Sequence, residues 1–312
     1  MKREKYSHKH HYLPVFYLKG FTDINEQFYV YDKIRDVILI KQNPNSKFYE
    51  NDLNNYKFKG EILFTFEESL FSPQDTETSI LFSRLQNTDP IEFTALEKFK
   101  ILHFLSVLYW RLPESNNDFL EIIKKEGFSN KYFCFKNKQN EKVNDEDIPE
   151  VIEKILTDTE LQKMYKHMIP FSNGSSEEIL RLFDKWKIYS LTSTTPTFIT
   201  GDKPFLINNQ DKRLDNIFNE LIFPLNKNKL LVLSDKSPDF LDGLFIANVN
   251  VSILEQSKRF IATHSEEQLK ATIYNYKELK KVNQANNLNQ CTFEFMHYQS
   301  QFKSHEEYYN IF

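Results

Sequence analysis

Apolar and polar positions change rhythm along the chain. Short runs rich in aromatic and β-branched residues come first: Tyr12 to Leu18, Phe28-Tyr29-Val30-Tyr31-Asp32 and Val37-Ile38-Leu39-Ile40. The first two are separated by the turn-like Gly20-Phe21-Thr22-Asp23, and the last two by a short polar break. Runs of this length bounded by turn formers predict strands. Asn43-Pro44-Asn45-Ser46 reads as a loop.

From about residue 61 the spacing turns helical. Thr94 followed by Glu97 is a capping box set before an apolar run. That run continues through Phe99, Leu102, His103, Leu105, Val107 and Trp110 and must stop before Pro113. Apolar residues lie almost all round it, which predicts a central buried helix. Further helices are expected over 116–126, 148–168 and 175–186, the last opening on Ser175-Ser176-Glu177-Glu178. The polar stretch Lys136 to Asp147 is expected to be an exposed excursion.

Strands return as Ile188–Leu191, Thr197–Thr200, Leu221–Pro224 and Leu230–Leu233. A helix over 245–257, a strand at Arg259–Ala262 and a small helix after Ser265 follow, and from Asn283 the chain is a polar tail ending in aromatics. The order of elements predicts a single α+β domain over 1–312 rather than a doubly wound α/β fold. Its parts are a β-rich segment (1–60), a helical segment (61–186), a second β-rich segment (187–282) and the tail (283–312). The N- and C-terminal β segments are expected to pair in one sheet, with the helical region packed on it.

Composition narrows the class. With 40% hydrophobic and 27% charged residues the chain has a folded profile. Its 29 Phe and 16 Tyr supply a large core. A net charge of −4 gives no global basic footprint for nucleic acid. The cluster Lys2, Arg3, Lys5 and Lys9 is the one concentration of positive charge at an end. Cys134 and Cys291 stand apart, outside any CxxC or zinc spacing. The charged, His-rich start has no apolar run behind it and no stretch reaches the length of a membrane span, so a cytoplasmic protein without membrane association is expected.

The six glycines of the chain leave no Gly-rich phosphate cradle, and no Walker A, GxGxxG, GxSxG, HExxH or EF-hand pattern occurs. The chemistry-bearing residues lie elsewhere. His8, His10 and His11 crowd the start; on a strand His8 and His10 share a face and His11 takes the other. His10 and His11 are candidate catalytic residues, and His10 is a candidate metal ligand. They also serve equally well as anchors of the N-terminus. Asp202, in Gly201-Asp202-Lys203-Pro204, ends an apolar run, which suits a catalytic or metal-binding carboxylate as well as a turn former. Arg111 ends the central helix, where it can pair with the last carbonyls or fork a phosphate. His103 reads as a core histidine. Glu67 and Glu68 add carboxylates near a helix start.

The segment Lys9-His10-His11-Tyr12-Leu13-Pro14-Val15-Phe16-Tyr17-Leu18-Lys19-Gly20-Phe21 resembles the opening HHYxPxFYLxxF of a large bacterial family of unknown function. The likeness continues in order. Phe28 to Lys33 is similar to that family's strand ending in aromatic-Asp-Lys/Arg, Phe48-Tyr49 to its FY pair, and Arg111-Leu112-Pro113 to its Arg-x-Pro. Phe198 to Pro204 resembles its FITSDxP, and Ile222 to Leu225 its FPL strand. Gly201 stands where that family usually has Ser, so that hydroxyl is absent here. The resemblance carries His10, His11, Tyr12, Arg111 and Asp202 forward as candidates and implies no established activity.

Two functions fit these residues. One is a hydrolase, a nuclease or phosphodiesterase of the bacterial defence (phage defence) or toxin kind. In it His10, His11, Arg111 and Asp202 would be catalytic, Tyr12 and Lys203 would bind substrate, and a divalent metal (Mg, Mn or Zn) would sit on Asp202 and His10. The other is a non-catalytic sensor or binding module for nucleic acid, a nucleotide or a protein partner, gripping it with aromatic strands. Hydrolysis predicts that the candidates converge in one cleft. Binding predicts that they are scattered or engaged in structural bonds.

Overall fold

Short antiparallel ladders and the helices between them enclose a core dominated by aromatic rings. The computed structural model describes residues 7–87, 92–126, 148–171, 180, 182–192, 196–208, 218–282 and 287–309. The N-terminal strands are β1 (Lys9–His11), β2 (Phe28–Asp32), β3 (Val37–Gln42), β4 (Tyr49–Asn51), β5 (Asn55–Phe58) and β6 (Glu61–Thr65). After the helical part come β7 (Trp186–Ser190), β8 (Thr200–Gly201), β9 (Leu206–Ile207), β10 (Leu221–Asn226), β11 (Lys229–Leu233) and β12 (Phe260–Thr263). One four-stranded sheet runs β3-β2-β12-β8, so N- and C-terminal segments do pair, and the fold is α+β. A second runs β7-β11-β10-β9, while β1-β4 and β5-β6 form two-stranded ribbons. Central strands β10 and β11 are buried along their length, which is why their sequences are nearly continuous apolar runs.

The run from Tyr12 to Leu18 is not a strand. After β1 the chain turns at Pro14 into a short helix α1 (Val15–Lys19). An apolar run this short does not distinguish helix from strand by periodicity. Helical spacing sends Tyr17, Leu18 and Phe21 into the core at 0% exposure, so burial selects the helix. Gly20 closes it against β10: a Cβ there would lie 2.8 Å from Asn226 Cβ, an approach only glycine permits.

The helical part begins later than the spacing suggests, since 61–65 is β6. A single π-helical turn, Glu67–Phe71, leads into α2 (Ser72–Asn87). Helix α3 (Ala95–Arg111) has the expected capping box at Thr94 and Glu97 and buries Ile101 through Arg111 apart from the half-buried His103. It is followed by α4 (Ser115–Glu126). The helix expected over 148–168 is two, α5 (Ile148–Thr157) and α6 (Thr159–Met168), divided at Asp158, whose carboxylate accepts the N–H groups of Glu160 and Leu161. Lys136 to Asp147, Cys134 and the helix start at Ser175–Glu178 lie outside the described residues.

Thr197–Ile199 do not join a ladder; strand pairing begins only at Thr200. The amide of Asn250 substitutes for it, accepting from Ile199 N–H and donating to the Thr197 carbonyl. Helix α7 (Gly243–Gln256) carries that Asn, and α8 (Glu266–Lys281), capped by Ser265, is four turns rather than a small helix. The expected tail contains α9 (Leu288–Gln299) and α10 (His305–Tyr309). Phe293 and Met296 of α9 are buried, and Thr292 Oγ1 meets Ser252 Oγ of α7 at 2.8 Å. Among the described residues no helix is long and apolar enough to cross a membrane.

Candidate functional site

Pairing of β1 with β4 sets His10 opposite Glu50 and His11 opposite Tyr49. Strand alternation sends His10 fully inward, where both ring nitrogens are engaged: Nε2–H donates to the Ser7 carbonyl at 2.7 Å, and Nδ1 accepts the Asn54 N–H at 2.9 Å. Those partners permit only the neutral Nε2–H tautomer. His8 is exposed and bonds Asp52 at 2.9 Å, so the strand does not join two histidines at one point.

His11 differs. Its ring lies 5.5 Å from that of Tyr49, and its Nε2 is buried without a hydrogen-bond partner. Burial and the Lys9 charge, with a smaller push from Arg111, outweigh a backbone hydrogen bond at Asn45 and lower its pKa to about 4. The ring is therefore neutral at pH 7.

Arg111 ends α3, which Pro113 prevents from continuing. Its guanidinium is buried, donating to Asp75 Oδ2 at 2.8 Å and to Glu67 Oε2 at 3.2 Å, and sits 4.9 Å from the centre of the Phe71 ring. Asn54 Nδ2 donates to the same Glu67 Oε2 at 2.7 Å. A continuous chain of bonds thus runs His10–Asn54–Glu67–Arg111–Asp75. Burial opposes the Arg111 charge, but Asp75 and Glu67 overcome it and raise its pKa, while burial pushes the Asp75 carboxyl upward. The π-helical turn is what sets Glu67 facing α3; such turns recur at functional sites.

Asp202 follows β8. Its Oδ1 accepts the Tyr12 hydroxyl at 2.8 Å, and its Oδ2 accepts Arg259 N–H at 2.6 Å and Phe260 N–H at 2.8 Å. Burial raises its pKa to about 6 against these three bonds. Lys203 is turned away, its ammonium 3.7 Å from Asp118. Gly201 packs so closely that a Cβ would lie 2.2 Å from Ser257 Oγ. The volume a serine side chain would occupy there is filled by the hydroxyl of Ser257, which donates to Ile253.

Three groups near these residues escaped sequence reasoning. Lys166 on α6 is buried and donates to the Leu112 carbonyl at 3.0 Å; burial lowers its pKa to about 7. Its neighbour His167 is wedged edge-on between Phe66 and Phe71, with Nδ1 unpartnered and its pKa driven well down by burial. Glu114, just past Pro113, pairs with Lys258 at 2.5 Å and acts electrostatically on Tyr12, Lys166 and Asp202 alike. Lys166 and His167 lie in an amphipathic helix, where an ordinary reading puts lysine in solvent; only packing against the end of α3 reveals otherwise.

The structure therefore joins the nominated residues as two linked groups, His10 with Arg111 and Tyr12 with Asp202. His11 feels the charge of Arg111, and Glu114 is in electrostatic reach of both Lys166 and the Tyr12–Asp202 pair. Among the described residues no three His, Cys, Asp or Glu side chains are grouped to hold a metal ion. His10 and Asp202 do not form a shared donor set, since the imidazole nitrogens are spent on backbone groups and the carboxylate on Tyr12 and β12. A cavity of about 360 Å³ lies elsewhere, between the end of β7 and the start of α7, lined by Tyr189, Thr192, Phe240 and Gly243 among others. It contains none of the residues above.

No curated protein and no solved structure matches the chain. A family model does, over residues 9–267, from β1 to the first turn of α8, so the match spans every residue of the two groups. The chain belongs to the family described as protein of unknown function (DUF4238).

Proposed function

We propose that this protein is a hydrolase acting on phosphodiester bonds of nucleic acid or nucleotides, of the kind used in bacterial defence or as a toxin. The observation that carries the reading is the unpartnered, neutral Nε2 of His11, on the strand next to Tyr12 and within electrostatic range of Arg111. A neutral imidazole can take the proton of an attacking water. Arg111 supplies fixed positive charge against which negative charge can develop on a phosphoryl group. Tyr12 and Asp202 hold β1 in place, and Lys203, whose ammonium lies 3.7 Å from Asp118, is turned away and has no part in this reading. His10 is a positioning residue in this reading, because both its nitrogens are occupied.

The engagement of His10, Asp202 and Arg111 inside the protein supports the second reading, a binding or sensor module without turnover. The two are separated by incubating the full chain with tRNA, single-stranded DNA and duplex DNA, with and without Mg²⁺, Mn²⁺ or Zn²⁺. Hydrolysis predicts cleavage that falls at least about a hundredfold in His11→Ala while circular dichroism is unchanged. Folded wild type that cleaves nothing under any of these conditions, yet retains one of the nucleic acids in a binding assay, establishes the module.

A further inference from the structure

Lys47 carries a charge that its neighbours do not balance. The residue is half-buried, and its ammonium lies 5.6 Å from the centre of the Phe260 ring, over which the Arg259 guanidinium also sits at 4.5 Å. Arg259 donates to Asp32 Oδ2 at 3.2 Å, and Arg35 approaches the same oxygen at 3.7 Å. Asp32 is 1% exposed, whereas the side chains of Arg259 and Arg35 are 43% and 67% exposed. Three cations thus gather about one interior carboxylate, and their excess charge faces solvent. Among the described residues Lys47 Nζ has no carboxylate at ion-pair distance and no hydrogen bond. Burial and the charge of Arg259, with a smaller push from Arg35, lower its pKa against the pull of Asp32. The backbone is strained beside it: Phe48, in the core, has a φ of 56°, a left-handed conformation that bulky residues adopt rarely. Repulsion, burial and strain all oppose a lysine here, and such breaches of local rules gather at binding sites.

The loop that presents Lys47 leads to the candidate site. Two residues on, the Tyr49 ring has Lys9 Nζ 4.0 Å from its centre and the His11 ring at 5.5 Å. Lys9 is exposed, donates to the Asn45 carbonyl, and also has no carboxylate at ion-pair distance among the described residues. Glu50, the acid beside Tyr49, acts on the interior groups Tyr12 and Lys166. Cations over ring faces therefore run from Arg259 and Lys47 on Phe260 to Lys9 on Tyr49, and end at the unpartnered nitrogen of His11. Positive charge alternating with aromatic rings suits a single strand of nucleic acid, whose phosphates meet the cations and whose bases meet the rings. We propose that Lys47, Arg259, Arg35 and Lys9 form an anchoring track for the phosphate backbone of single-stranded nucleic acid, seating the strand across His11. The choice of nucleic acid rests on the proposed function; the anion track rests on the placement of the cations. A net charge of −4 does not oppose it, because the attraction is local.

The test is fluorescence anisotropy with a fluorescein-labelled phosphorothioate single strand, which resists cleavage, titrated with the full chain between roughly 50 and 200 mM salt. Four phosphate contacts predict a log–log salt slope of about −3, since each contributes about −0.7 on a single strand. Lys47→Met should weaken binding at least about threefold at the low-salt end and flatten the slope by about 0.7, and Lys47→Arg should restore both. Because Lys47 is repelled rather than paired, Lys47→Met should melt no lower than wild type, which separates a lost contact from lost folding. Adding Lys9→Gln to Lys47→Met should flatten the slope by about another 0.7. Failure of the wild type to bind, or a slope and affinity unmoved by Lys47→Met, overturns the proposal. So does equal affinity for a duplex of the same sequence. Lys47-dependent sedimentation with phosphatidylserine vesicles, in place of oligonucleotide binding, assigns the patch to a membrane surface and overturns it too. Binding through the track without cleavage of ordinary strands supports the proposal and counts against hydrolysis; cleavage with Lys47 idle does the reverse.

Discussion

The hydroxyl of Tyr12 donates a 2.8 Å hydrogen bond to Asp202 Oδ1 across 190 positions of sequence. The other oxygen of the same carboxylate accepts the N–H groups of Arg259 and Phe260 at the entry to β12. One buried side chain therefore ties the N-terminal motif, the turn after β8 and the last strand of the sheet to one another.

Tyr12→Phe removes the one side-chain donor to Asp202 among the described residues and leaves an acceptor unmatched in the interior. A loss of about 1–3 kcal/mol of stability is expected. Urea denaturation followed by circular dichroism measures it; a change below a few tenths would show that the bond contributes nothing.

Asp202 also sets a pH dependence. Its folded pKa, about 6, lies above the ordinary 3.8, so the folded state holds the proton more tightly. The stability this contributes is fully present below about 3.8 and is lost as pH rises through 6, on the order of 3 kcal/mol in all. His11, lowered to about 4, has the opposite slope over part of the same window. The difference between wild type and Asp202→Asn isolates the carboxylate: it should shrink between pH 4 and pH 7. A difference that stays level across that range would mean that Asp202 is not perturbed.

Arg111 carries the largest mutational effect expected here. Arg111→Met leaves the half-buried Glu67 and Asp75 without their counter-charge and empties a buried site, at a cost of about 2–4 kcal/mol. The combined Arg111→Met, Glu67→Gln and Asp75→Asn variant should recover part of that loss, because it removes the uncompensated charges. If the single variant were as stable as wild type in thermal melts, the buried ion network would have no structural weight.

Gly201→Ala should destabilise by about 1–3 kcal/mol, because its Cβ would meet Ser257 Oγ at 2.2 Å. Ser257→Gly clears that space, so the double variant should be more stable than the sum of the two single changes predicts. Simple additivity in a four-member cycle of melts would show that the two residues do not compete for one volume.

Local chemistry determined much of this molecule. The capping box at Thr94 and Glu97, the stop at Pro113, the turn-bounded strands β2 and β3 and the long apolar runs of β10 and β11 follow from spacing and backbone propensity, which act over a few residues. The α+β class, family membership and the candidates Tyr12, Arg111 and Asp202 were legible for the same reason, since each stands in a recognisable motif. Tertiary structure decided what no local window contains. Burial turned Tyr12–Leu18 into a helix after Pro14, Asn250 replaced a ladder along Thr197–Ile199, and α9 found a core partner in α7. It also separated two adjacent histidines into one with both nitrogens bonded and one with a free lone pair. Lys166 shows the limit most clearly: a lysine on an amphipathic helix reads as solvated. Whether its charge is sustained depends on which carbonyls and carboxylates other parts of the chain bring to it, and electrostatic free energy in a protein interior is set by those distant neighbours rather than by the sequence around the residue.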